Sequence, residues 1–232
     1  MEIFAHYSEP TVGPQQDAEV VQRFLRGVYG WMCTGLAVTA LTAWIVSSST
    51  RLTLVLADLG VVFWSLMAAQ FLLVFVLSRL VNTLTAGVAG ALFVLYSVLV
   101  GLTLSPIFMA YTAGYLERTC VMTAGSFAVL AFYGTATNRD LSGLGQFFFM
   151  GLVGLLFASL AQIVWPADLL RFMVDFVGTI VFAGLTAWDA QRLRDLALGN
   201  GENLAPALPV NGALALYLDF LNLFLSLLGS DD

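Results

Sequence analysis

Two aspartates interrupt the last two apolar runs of a 232-residue chain, Asp189 in Ala187-Trp-Asp-Ala190 and Asp219 in Tyr217-Leu-Asp-Phe220. An acid at bilayer depth costs at least about 2.5 kcal/mol on insertion scales, so it implies a partner, a proton or a function. On a 3.6-residue period, Gly212, Ala215, Asp219, Asn222, Ser226 and Gly229 fall within about 100° of one another, and the other positions up to Leu228 are almost all Leu, Phe or Tyr. The stripe is small and polar and the rest is greasy, as expected where lipid is the solvent and small residues let helices approach. Asp219 is therefore expected to point into a helical bundle. In the preceding run Asp175, Gly178, Thr179, Thr186 and Asp189 also share a face. Asp219 lies seven residues beyond Gly212, about 10 Å along a helix, so Asp189 and Asp219 are placed to meet on one side of the midplane. Two such carboxyls are expected to hold one proton between them and titrate as a unit. Their protonation would then decide whether the two helices stay together and whether a cation path opens, with a transient cation at the pair.

Other polar residues are weaker candidates. Arg79 closes the second apolar run with no acid beside it in sequence and could serve as a removable counter-ion for the pair, or as a snorkelling anchor. Gln70, Asn82, Tyr96, Ser97, Thr103, Asp175 and Asn222 could line a polar path, and hydrogen bonding between helices explains them as well. Serine or zinc chemistry would need a histidine, and His6, in the polar N-terminal tail, is the only one. Intramembrane aspartyl proteases carry Tyr-Asp and Gly-x-Gly-Asp at their acids and a later Pro-Ala-Leu; the Trp-Asp and Leu-Asp contexts here do not match. No enzyme activity is expected, and no cofactor or fixed metal.

The elements that must position these acids follow from composition. With 59% hydrophobic and 10% charged residues and a mean hydropathy of +0.89, the chain has the composition of an all-α polytopic membrane protein. The net charge of −6 arises from acidic ends and scattered acids and does not suggest nucleic-acid binding. Seven spans are expected near 28–47, 58–78, 83–104, 116–136, 144–165, 170–190 and 212–229. Residues 52–57 would form an interfacial turn with Asp58 at the boundary. The last span either crosses or dips in and returns. Residues 1–26 form a polar tail without signal-peptide features, and 27–232 form one seven-helix domain. With the N-terminus cytoplasmic, Arg23, Arg26, Arg79, Arg139, Arg192 and Arg194 lie inside, against Arg51, Arg118 and Arg171 outside. Seven crossings then place the C-terminus outside. Cys33 and Cys120 stand in apolar runs and are expected to behave as small hydrophobes.

Four stretches resemble signatures of the transmembrane Bax inhibitor motif family, particularly its bacterial members. They are Gly101-Leu-Thr-Leu-Ser-Pro-Ile-Phe108, Tyr133-Gly-Thr-Ala-Thr-Asn-Arg-Asp-Leu-Ser-Gly143, Gly178-Thr-Ile-Val-Phe-Ala-Gly-Leu-Thr-Ala-Trp-Asp-Ala-Gln191, and Ala215-Leu-Tyr-Leu-Asp-Phe-Leu-Asn-Leu-Phe-Leu225 continuing to Leu228. The resemblance spans about residues 20 to 229. It implies a seven-transmembrane helix bundle with the last helix central, and a pH-sensitive carboxylate pair at Asp189 and Asp219. It also implies a latching arginine whose nearest match is Arg79. Members are described as pH-sensitive calcium leak channels, which implies transported calcium and, for a bacterial relative, the inner (plasma) membrane. Gln70 stands where relatives often carry an acid, which removes a charge from a cation path. Some bacterial relatives bind a membrane-anchored AAA protease, so a regulatory or structural subunit of such a complex is the alternative, with residues 1–26 as its handle.

Overall fold

The computed structural model describes residues 14–49, 60–81, 83–200 and 204–229. Seven long helices follow in order: α1 Pro14–Ser47, α2 Gly60–Arg79, α3 Ala86–Leu104, α4 Ala113–Ala136, α5 Ser142–Val164, α6 Asp168–Asn200 and α7 Leu208–Gly229. A single helical turn, Ile107–Ala110, links α3 to α4 after the Ser105-Pro106 break. Each long helix is long and apolar enough to cross a bilayer, and the chain is an integral membrane protein. His6, the interfacial turn at 52–57, Asp58, Arg51 and Asn82 lie outside the described residues.

The expected boundary between residues 26 and 27 does not appear as a break. Phe24, Val28, Met32, Thr39, Ala43 and Val46 recur at helical spacing and are all buried, so one continuous apolar face carries α1 from its polar first turns into the span. The helix of 34 residues is about 51 Å long at 1.5 Å per residue. Beyond the apolar run that ends near residue 190, α6 continues through the amphipathic stretch carrying Arg192, Arg194 and Asp195 and ends at Asn200, where the Gly199-Asn-Gly201 break is expected.

α7 is the centre of the bundle. It packs against α6, α1, α4, α3 and, more lightly, α2, and 56% of its apolar stretch is buried against 6% for α5. It is one uninterrupted helix of 22 residues, about 33 Å at 1.5 Å per residue, so it does not turn back. Its two ends lie at opposite ends of the bundle: Asn211 Nδ2 donates to Leu77 O at the end of α2, and Tyr115 Oη at the start of α4 donates to Leu228 O. Pro209 falls in its first turn, where a missing N–H costs nothing.

The stripe on α7 therefore misleads in one respect. The greasy positions do not face lipid: Leu214, Leu216, Tyr217, Leu223 and Leu228 are buried, because other helices surround α7 and take the place of the hydrocarbon. Lipid-facing apolar surface is supplied elsewhere, notably by α5 with Phe147, Met150, Phe157 and Ile163 exposed.

Close approach is needed where α4 crosses α6. A Cβ at Gly134 would collide with the backbone of Ala187, two residues before Asp189. Replacing Gly134 by Val is expected to destabilise the protein by about 1–3 kcal/mol, measured as an earlier thermal transition in detergent. Gly125→Ala, with nothing within 4 Å of the new methyl, should show no loss.

Candidate functional site

Asp189 and Asp219 meet. Asp219 is 6% exposed, Asp189 is partly buried on the facing helix, and their carboxyl groups neighbour each other. Asp219 lies 11 residues past Leu208, about 16 Å into the helix. That is half its length, and deeper than the shorter expected span implied.

The surroundings offer little compensation. Asp219 Oδ2 is buried without a hydrogen-bond partner among the described residues. The charged group that acts on the pair is Arg192, one turn beyond Asp189 on α6. Its Nη1 stands 4.0 Å from Asp189 Oδ1, and its side chain is 67% exposed. Its guanidinium lies over the Trp188 ring at 5.5 Å. An ion pair at that distance and exposure contributes little to stability.

Arg79, expected as a latch, is not at the pair in this conformation. It is exposed, with its guanidinium 5.6 Å from the Phe75 ring centroid, and it makes no ion pair among the described residues. Its position at the very end of α2 turns the charge outward, and Arg192 takes the place beside Asp189. Gln70 is buried and donates to Leu99 O at 3.0 Å and Thr103 Oγ1 at 3.2 Å, so it ties α2 to α3. Asp175 and Asn222 line a separate cavity of about 270 Å³ between α5, α6 and α7. Asp175 precedes Asp189 by 14 residues, about 21 Å along α6, and a Cβ at Gly229 would meet its carboxyl. The structure thus brings together two of the proposed residues and distributes the others along the bundle.

Three supports were not singled out in the sequence. Gln191, buried two residues beyond Asp189, accepts from Leu141 N at 2.8 Å and donates to Arg139 O at 2.7 Å. Arg194 Nη1 donates to Thr135 O and Thr137 O at 2.9 and 2.8 Å. Together they clamp the α4–α5 connection onto α6 and cap the carbonyl end of α4. On the other side of α7, Tyr217 Oη and Thr39 Oγ1 share a hydrogen bond of 2.6 Å, and Thr39 donates to Ser97 O at 3.0 Å. Tyr217 also meets Phe93 and Tyr96 edge-on. Pro206-Ala-Leu208 is the tripeptide of the aspartyl-protease pattern, but it lies between the two acids and leads into α7, not after the second as that pattern requires.

Asp140, in the loop outside the spans, accepts from Ser142 N at 2.8 Å. This bond and the Ser142 hydroxyl hold its carboxyl below the ordinary value of 3.8. The contribution of such a lowered carboxyl is present above the unfolded value and is lost as pH falls through the folded one. It is therefore constant near neutrality, and a response to pH in that range must originate elsewhere.

A central apolar helix bundled with six others, each long enough to span a bilayer, defines a polytopic helical membrane protein. The profile of the family described as inhibitor of apoptosis-promoting Bax1 matches residues 21–229. The chain is similar to the inner membrane protein YbhL of Escherichia coli strain K12, 44% identical over 215 residues and covering 90% of each chain. It is also similar to an uncharacterized protein of Deinococcus radiodurans, 41% identical with 92% of each chain covered. A membrane protein of Streptococcus pyogenes is 29% identical, with 96% of this chain and 94% of that one covered. The chain belongs to the Bax inhibitor family.

Gln191→Ala would strand the buried Leu141 N–H, at a cost of about 1–3 kcal/mol. The expected result is a lower thermal transition together with faster hydrogen exchange confined to the 137–142 loop; uniform exchange changes would contradict the clamp.

Proposed function

We propose that the protein is a pH-sensitive leak pathway for calcium, controlled by the Asp189–Asp219 pair. The observation that carries this reading is the contact itself: two carboxyls at bilayer depth, one oxygen without a partner, and a single exposed guanidinium nearby. While the pair holds a proton, it is a hydrogen bond that joins α6 to α7. When the proton leaves, two negative charges face each other in a medium that screens poorly, and the seam between the helices loosens. The same two carboxylates then present oxygen ligands suited to a hard divalent cation passing through. The role is non-enzymatic, with no cofactor.

The termini are read with the N-terminus cytoplasmic and the C-terminus outside, in a plasma membrane like that of the Escherichia coli relative. A second reading is favoured by the length of α1 and α6. Both exceed the roughly 30 Å hydrocarbon thickness, and the first described turns of α1 expose Ala18, Glu19, Gln22, Arg23 and Arg26. That polar projection is a handle through which the protein could serve as a regulatory subunit of a membrane complex such as an AAA protease.

The test is calcium flux from vesicles containing purified protein, measured from pH 5 to 8. Flux should vary with pH in the native protein, and Asp189→Asn or Asp219→Asn should flatten the profile at least several-fold. An unchanged profile in both variants overturns control by the pair. Absence of flux at every pH overturns the leak pathway and, with stable copurification of a protease, supports the subunit reading.

A further inference from the structure

One opening in the bundle has neither member of the carboxyl pair in its lining. A cavity of about 600 Å³ lies between α1 and α4, with Phe220, Leu221 and Phe224 of α7 as its floor. α1 packs mainly on α3 and α7, and α4 mainly on α6 and α7, so the two leave the central helix uncovered between them. Leu36 and Thr39 close its deep end, and Ser47, Ser48 and Glu117 surround its mouth. From Leu36 to Ser48 the groove extends about 18 Å at 1.5 Å per residue. Its volume lies within the roughly 300–1,000 Å³ typical of ligand sites.

The walls are apolar and the mouth is not. Glu117 and the next residue, Arg118, are both exposed, and neither has an ion pair or hydrogen bond among the described residues. α1 has no basic residue in its last turn, so its carbonyl end adds a partial negative charge at the same mouth. Trp44 adds an exposed indole face beside it, which attracts cations. Among the described residues the groove side thus carries one carboxylate beside an indole face, with one guanidinium adjacent. That arrangement complements a headgroup carrying an ammonium and, next to it, a phosphate. A primary ammonium donates up to three hydrogen bonds and so can bond to the Glu117 carboxylate; a quaternary one has none to give.

We propose that this groove is a binding site for one phospholipid with a zwitterionic headgroup ending in a primary ammonium, the phosphatidylethanolamine class. Its headgroup lies at Glu117 and Arg118, and one acyl chain lies over Phe220 and Phe224. The site does not depend on whether the protein conducts calcium.

The test uses full-length protein in phosphatidylcholine vesicles containing a trace of phosphatidylethanolamine with a photoreactive acyl chain, and maps the adducts by mass spectrometry. Adducts are expected on residues 36–48 and 220–224. Unlabelled phosphatidylethanolamine should reduce them several-fold, and the same amount of phosphatidylglycerol should not. Glu117→Gln should lower the yield several-fold while the size-exclusion profile is unchanged. Ala40→Trp, which places an indole in the groove and leaves both charges intact, should remove the same adducts. Adducts spread evenly over the outer helices, equal competition by phosphatidylglycerol, or an unchanged yield in both variants overturns the site.

Discussion

A buried carboxyl with an unsatisfied oxygen can persist at bilayer depth only if protein encloses it, and the architecture follows from that need. One oxygen of Asp219 has no hydrogen-bond partner among the described residues, and its neighbour is another acid. Leaving either against hydrocarbon would be prohibitive. Placing α7 in the middle, with five other helices packed on it, removes lipid from around the acid and leaves apolar α5 to face the bilayer. The small residues follow from the same requirement, since Gly134 brings α4 onto the backbone of α6 close to Asp189.

Much of this was legible from hydropathy. Seven apolar runs gave seven helices, and the polar stripes on the last two runs placed Asp189 and Asp219 on facing sides. Helix ends were less evenly legible. The amphipathic continuation of the sixth span through Arg192, Arg194 and Asp195 to the Gly199-Asn-Gly201 break was legible, but not that Gln191 and Arg194 hold the α4–α5 loop from it. Residue 27 was taken as the start of the membrane domain, but Phe24 already belongs to the buried face of α1. Periodicity also could not distinguish a Leu facing lipid from a Leu facing other helices, since both environments are apolar. Leu216 and Leu223 therefore carried no signal that α7 is enclosed. Arg79 shows the limit of reading a partner from charge alone. Its side chain leaves the end of α2 and settles over Phe75, and the arginine that does stand near the acids, Arg192, is three positions past Asp189 on α6.

Polar groups in the bundle divide by what they bind. Gln70, Gln191, Arg194 and Asn211 all reach backbone carbonyls on another helix or its end, which fixes helix positions without any titrating group. The aspartate pair is the exception, because there one acid faces another.

The Tyr217–Thr39–Ser97 connection gives that contact a mechanical setting. It fastens α7 to α1 and α3, while Asp219, half a turn further along, faces α6. α7 lies between α1, α2 and α3 on one side and α4 and α6 on the other. Thr39 and the carbonyl of Leu77 hold it from the first side and Tyr115 from the second, so its register is set from both.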